Sequence, residues 1–96
     1  MTEQYHKILE ETAKEFSLGV EHILGLSRES DIVTARQVAM YLLHYEAKLS
    51  YPAIGKMLGR NHTTAMHGAA KISRLLADNK FLRQQMQSIK KAIYKK

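Results

Sequence analysis

Five consecutive polar residues at the start of a predicted helix form the segment of this sequence best suited to chemistry. They are Arg60, Asn61, His62, Thr63 and Thr64, and each side chain can form hydrogen bonds. Asn, His and Thr side chains can read base edges in DNA, and a threonine methyl can contact the methyl of thymine. Free N–H groups at a helix start also favour a nearby phosphate. The segment predicts a nucleic-acid-binding surface, although any one of these residues alone could simply cap a helix.

Metal binding and catalysis find little support in the same region. His62 and His67 lie five positions apart, about 140° around a helix, whereas zinc-binding pairs on helices are spaced by three or four residues. Residues 47–77 contain no Asp or Glu, and the chain has no Cys. Cysteine nucleophiles, thiolate zinc sites and disulfides are thereby excluded. We expect no catalytic residue and no metal site.

A short helix, a tight turn and a second helix are predicted to position the polar segment. Ser50 can cap the first helix, which Gly59 ends, and Gly55 allows the second helix to approach closely. Asn61 can cap the second helix, predicted over residues 63–76. This order is typical of a helix-turn-helix, whose second helix enters the major groove of DNA.

Hydrophobic periodicity predicts helices along the rest of the chain and no strands. A Thr34-to-Gln37 capping box indicates the start of the clearest helix, after a loop over Leu26–Ile32. The other helices are predicted at about residues 3–16, at Val20–Leu24 and at Lys80–Lys96, where Phe81, Leu82, Met86 and Ile89 would pack on the core. The expected fold is a single all-α domain over residues 1–96, a small bundle of about six helices.

Charge is distributed unevenly along the chain, which has a net charge of +6. Residues 1–31 hold seven acids and three bases, a net charge of −4, whereas residues 32–96 hold twelve bases and two acids, a net charge of +10. Because the basic residues of this part are interleaved with apolar residues at helical spacing, they indicate a basic folded surface rather than a basic tail. Such a surface favours a polyanionic partner, or simply makes the domain soluble.

The stretch from Thr34 to Ile72 resembles the C-terminal DNA-binding domain of the bacterial replication initiator DnaA. The matching segments are ARQVAMYL from Ala35, SYPAIG from Ser50, LGRNHTT from Leu58 and HGAAKI from His67. They occur in the same order and with matching spacing, and the upstream helices also fit. The resemblance implies a Trp-repressor-like bundle that binds double-stranded DNA at a short asymmetric sequence, the DnaA box, in origin DNA.

Individual site residues follow from this resemblance. It implies that Arg28 enters the minor groove, where a narrow groove attracts arginine. The remaining base contacts it implies are Tyr51, Pro52, Asn61, His62 and Thr63. Contacts to the DNA backbone are expected from Arg36, Gln37, Ser50, Thr64, His67 and Lys71, and from Lys56 and Arg60 on charge alone.

The sequence departs from the family pattern at Asn61, where Asp is usual. Asp can only accept hydrogen bonds and suits cytosine N4, whereas Asn can pair bidentately with adenine N6 and N7. The turn is also one residue shorter than the commonest form, with Gly59 alone where a second glycine often follows. These differences bear on the preferred DNA sequence rather than on the class of activity.

No glycine-rich phosphate loop is present, so we expect no ATP site in this chain. The resemblance implies a monomeric module in the bacterial cytoplasm, associated with the nucleoid. An ATPase domain would lie upstream if the chain were part of a full initiator. Alternatively, a free-standing protein could bind the same sites as a regulator, a competitor or a transcription factor. A third interpretation is a protein-interaction module, because the last helix is basic and amphipathic and such helices can bind partner proteins.

Overall fold

Apolar residues at helical spacing form six α-helices in the computed structural model, which describes residues 2–95. No strand occurs in this range. The helices are α1 (Thr2–Glu15), α2 (Val20–Leu24), α3 (Ser30–Tyr45), α4 (Tyr51–Leu58), α5 (His62–Asp78) and α6 (Lys80–Tyr94). The predicted all-α fold is therefore confirmed, and the single-domain organisation stays a prediction.

Helix α3 lies at the centre of the bundle. It packs against α1, α2, α4 and α5, while α6 pairs mainly with α1. Because neighbours surround it, apolar residues are buried along most of its length: Ile32, Ala35, Val38, Ala39, Met40, Leu42 and Leu43. This wide apolar surface makes α3 the support on which the helix-turn-helix of α4 and α5 rests.

The start of α3 differs from the prediction. The helix begins at Ser30, four residues before the expected Thr34, and Val33 N–H already bonds to Glu29 C=O at 2.9 Å. This additional turn carries an apolar side chain, Ile32, which is only 6% exposed. Burial of that side chain favours the helical turn over the predicted loop. Thr34 therefore lies inside the helix rather than capping it, and the preceding loop is limited to residues 26–29.

The last helix also differs in detail. It ends at Tyr94, and the predicted end at Lys96 lies outside the described residues. Leu82, Met86 and Ile89 are buried as predicted, and Ile93 is buried as well. Phe81, by contrast, is 68% exposed, so its predicted place in the core was wrong.

The α4–α5 turn follows the sequence prediction closely. Gly59 has φ = +69°, the left-handed conformation in which glycine carries no steric cost, and its N–H bonds to Gly55 C=O. A side chain on Gly55 would place its Cβ 2.5 Å from the carbonyl oxygen of Arg60. Glycine at this position therefore allows the turn to fold back against α4.

No helix within residues 2–95 has the length and apolar character needed to span a membrane.

Candidate nucleic-acid interface

Helix α5 has one buried face and one exposed polar face. Ala65, Gly68, Ala69 and Ile72 are buried against the bundle. Gly68 lies so close to α3 that an added Cβ would be 2.5 Å from Met40 Sδ. The opposite face is exposed and consists of His62, Thr63, Met66, His67, Lys71 and Arg74. Helix packing thus turns the predicted DNA-contacting residues of α5 outward.

Asn61 caps α5 as predicted, and its capping role defines the geometry of the helix start. Its Oδ1 accepts a hydrogen bond from the Thr64 N–H at 2.9 Å and another from the Thr63 hydroxyl at 3.1 Å. The helix itself begins at His62, one residue earlier than predicted. Asn61, His62, Thr63 and Thr64 are all exposed at this positive end of the helix, where an anion is favoured.

The first residue of α4, Tyr51, packs against aromatic side chains of α3. Ser50 Oγ accepts from Ala53 N–H at 3.2 Å, which confirms the predicted cap and leaves the hydroxyl hydrogen free to donate. The Tyr51 ring stacks on His44, with ring centroids 4.0 Å apart and an angle of 15° between the planes. Burial, followed by a hydrogen bond with Tyr45, raises the pKa of Tyr51. This packing keeps Tyr51 half-buried, and the neighbouring Pro52 remains exposed.

Arg36 has a structural role in the fold, and its contact with the DNA backbone stays a prediction. The residue is only 6% exposed. Its Nε donates to the carbonyl of Ile23 at 2.8 Å, and its Nη1 to Ser27 at 3.1 Å. The Nη2 donates to the carbonyls of His22 and Gly25, both at 3.1 Å. With these donors engaged, the guanidinium fixes the connection between α2 and α3.

Arg60 links the helix-turn-helix to this same connection. Its Nη2 donates to Gly25 C=O at 2.6 Å, and its Nη1 to Leu58 C=O at 2.8 Å. Arg36 and Arg60 therefore both donate to the Gly25 carbonyl, and Arg36 also donates to the Ser27 carbonyl. Together these hydrogen bonds hold the backbone just before Arg28. The Arg28 side chain is exposed. The fold thus presents Arg28 on a loop that is hydrogen-bonded to the α4–α5 turn.

The helix-turn-helix carries positive charge that no acid within residues 47–77 balances. Burial, and then the nearby charge of Arg60, lowers the pKa of Arg36, although an arginine remains protonated at neutral pH. No Asp or Glu occurs in residues 47–77, whereas Lys56 and Lys71 are both exposed there. An exposed basic surface of this kind attracts a polyanion.

Arg28 is exposed on its loop, and the other predicted site residues divide into three groups. The structure exposes most of them on or beside the helix-turn-helix, namely Ser50, Pro52, Lys56, Asn61, His62, Thr63, Thr64, His67 and Lys71. It engages Arg36 and Arg60 in the fold and leaves Tyr51 and Gln37 half-buried, with Gln37 Cγ 3.3 Å from the position of a Cβ on Gly68.

Sequence reasoning missed three exposed neighbours of these residues. Met66 and Arg74 lie on the exposed face of α5, and Leu26, 86% exposed, lies two residues before Arg28. Helical spacing from Thr63 would have identified the first two, because residues three to four positions apart share a face. No local pattern marks Leu26.

A helix-turn-helix whose second helix begins with exposed polar residues on a basic surface defines a DNA-binding domain. Within residues 2–95, no group of His, Asp and Glu could hold a metal ion. Residues 5–72 match the family model described as the bacterial dnaA protein helix-turn-helix. The chain belongs to this family of non-catalytic DNA-binding domains, which confirms the resemblance seen in the sequence.

Two relatives show how much of a longer protein the chain matches. The chromosomal replication initiator protein DnaA of Oenococcus oeni is 39% identical over 85 residues, covering 88% of this chain and 19% of the relative. The protein of the same name from Cutibacterium acnes is 40% identical over 84 residues, covering 86% of this chain and 17% of the relative. The chain therefore spans less than a fifth of the length of these relatives.

Proposed function

We propose that this chain binds double-stranded DNA at DnaA-box-like sites of a replication origin, in the bacterial cytoplasm. The observation that carries the proposal is the exposed start of α5, where Asn61, His62 and Thr63 face outward within a stretch of sequence, residues 47–77, that contains no acid. The N-terminal residues of a recognition helix are the ones that reach base edges. Helix α5 would occupy the major groove, and Arg28 the adjacent minor groove.

The hydrogen-bonded loop supports simultaneous reading of both grooves. Arg60 ties the Gly25 carbonyl to the turn before α5, so the position of Arg28 is coupled to that of the recognition helix. Pre-organisation of this kind lowers the entropy cost of ordering the loop on DNA. Phosphate contacts are proposed for Arg36, Gln37, Ser50, Lys56, Arg60, Thr64, His67 and Lys71.

The proposal assigns no ATP and no other cofactor to this chain, and treats it as a monomeric DNA-binding module. If the chain is part of a longer initiator, as the greater length of the relatives allows, an ATPase activity would belong to an upstream domain. The module itself would supply site recognition in the initiation or regulation of replication.

The test separates base reading from phosphate attraction. A selection from random duplexes at near-physiological salt first defines the preferred site. His62→Ala and Thr63→Ala should then each cost on the order of 1–3 kcal/mol on that site and relax preference at one or two positions. Lys71→Ala should weaken binding to preferred and random duplexes alike and reduce the slope of log K against log salt by about 1.

Lys14→Ala provides the matched control, because it removes the same charge from an exposed position on α1 in the acidic part of the chain. Lys14→Ala should change neither the preference for the selected DNA site nor the slope of log K against log salt appreciably. Unchanged discrimination between preferred and random duplexes in both His62→Ala and Thr63→Ala would show that α5 is not the recognition helix.

A further inference from the structure

Asn61 combines a structural and a recognition role, and the first restricts the second. We propose that Asn61 reads its base pair only as a hydrogen-bond donor, and therefore selects a base with a carbonyl on its major-groove edge, T or G. This inference rests on the proposed function and specifies which base the helix start prefers.

The capping geometry occupies the acceptor of the side chain. An amide oxygen has two lone pairs. In Asn61, one accepts the Thr64 N–H at 2.9 Å and the other the Thr63 hydroxyl at 3.1 Å. The orientation of the amide is fixed by this arrangement, because a backbone N–H can bond only to the oxygen and not to the NH₂ group.

The nitrogen of the same amide faces outward. Asn61 is exposed, and within residues 2–95 its Nδ2 forms no hydrogen bond to the protein. Two N–H groups are therefore free at the end of the helix that the proposed function places in the major groove. The bidentate pair with adenine that the residue type suggests is not available, because it needs Oδ1 to accept from adenine N6.

The chemistry of base edges then determines the preference. Thymine O4 and guanine O6 are acceptors, whereas the corresponding positions of cytosine and adenine carry amino groups. An amide NH₂ can bond to thymine O4 but finds no acceptor on the major-groove edge of cytosine. Adenine offers N7 beside an amino group, so it is a poorer partner than guanine, which offers both N7 and O6.

Replacing the amide of Asn61 by a carboxylate reverses the base preference without changing the shape of the side chain. In Asn61→Asp one oxygen can keep the cap, and the other becomes an acceptor in place of the NH₂ group. It would bond to the amino group of cytosine or adenine. The substitution should therefore exchange T for C, or G for A, at a single base pair and leave the other positions unchanged.

The experiment is a selection from random duplexes with the full chain and three variants at one fixed salt concentration. Asn61→Asp is expected to change one position of the motif by such an exchange, with about a tenfold change in relative affinity for the two duplexes. Asn61→Ser keeps a good cap but removes the amide, so it should lose the preference at that position alone.

Asn79→Asp is the matched control, because Asn79 also caps a helix through its Oδ1, which accepts from Leu82 N–H at 2.9 Å. Asn79→Asp makes the same change of charge at the start of α6 and should leave the selected DNA motif unaltered. Thermal melting verifies that all three variants are folded. If Asn61→Asp selects the parent motif and merely binds more weakly, donor reading by Asn61 is refuted. If the parent itself selects no motif, the proposed function fails, and this inference fails with it.

Discussion

Arg36, Asn61 and Thr12 are three polar residues whose roles depend on how many of their hydrogen-bonding groups the fold satisfies. Arg36 is buried with its Nε, Nη1 and Nη2 all donating to carbonyls, so it stabilises a loop. Asn61 keeps its NH₂ group free and exposed, so it is available to DNA. Thr12 is completely buried, and its hydroxyl has no hydrogen-bond partner. Residue type alone suggests none of these differences, because each depends on the neighbours that the fold supplies.

Thr12 gives a prediction at this scale. Replacing Thr12 by Val removes a buried, unpaired hydroxyl and keeps the branched shape of the side chain. We expect the free energy of unfolding to rise by about 1 kcal/mol, since an unsatisfied buried polar group costs about 1–3 kcal/mol. Urea denaturation monitored by circular dichroism measures the change. A stability equal to or below that of the parent would indicate that the hydroxyl is hydrogen-bonded in solution.

At the scale of elements, the sequence predicted the helix-turn-helix much better than it predicted α3. Ser50, Gly59 and Asn61 act locally, through caps and a left-handed turn, so their roles can be read from a few neighbouring residues. The first turn of α3 instead carries Ile32, whose burial is a property of the fold and not of the local sequence. Arg36 bonds to carbonyls between 9 and 14 positions away, and no local pattern contains that information.

Arg60 tests whether the connection between elements contributes to recognition. Arg60→Lys keeps the positive charge but loses the planar fork that reaches Leu58 C=O and Gly25 C=O together. If the proposed function is correct, the Arg28 loop should loosen, and discrimination for A·T-rich sequence in the minor-groove part of the site should fall several-fold. The salt dependence should stay the same, because the charge is conserved.

Arg74→Lys supplies the control, since Arg74 is an exposed arginine on α5. Fluorescence anisotropy with duplexes that differ only in the minor-groove part of the site measures both effects. An Arg60→Lys variant that discriminates as well as the parent would limit Arg60 to a role in electrostatic attraction.

Across the whole molecule, the acids are concentrated in the first third of the sequence. Seven of the nine acids are in residues 1–31, four of them on α1, whereas Glu29 and Asp31 lie beside Arg28. Glu46 is an exception with a structural role. It follows the last residue of α3, accepts a hydrogen bond from Tyr94 Oη, and lies 3.4 Å from Lys90 Nζ. These contacts join the C-terminal ends of α3 and α6.

The Glu46 contacts predict how stability depends on pH. The hydrogen bond from Tyr94, and then the charge of Lys90, lower the pKa of Glu46 below its ordinary value of 4.5. The folded protein therefore holds this proton less tightly than the unfolded chain. The resulting stabilisation is present above about pH 4.5 and is lost as the pH falls through the lowered value.

Glu46→Gln should accordingly lower the melting temperature at pH 7, and the difference from the parent should shrink as the pH falls through the lowered pKa of Glu46, where the parent's carboxylate also becomes neutral. Tyr94→Phe should reproduce most of the effect at pH 7, because the tyrosine hydrogen bond is the larger cause of the lowered pKa. Glu3→Gln, at an exposed position on α1, serves as the control and should leave the melting temperature nearly unchanged. A Glu46→Gln difference that is the same at pH 7 and pH 3 would show that the carboxylate charge does not join the two helix ends.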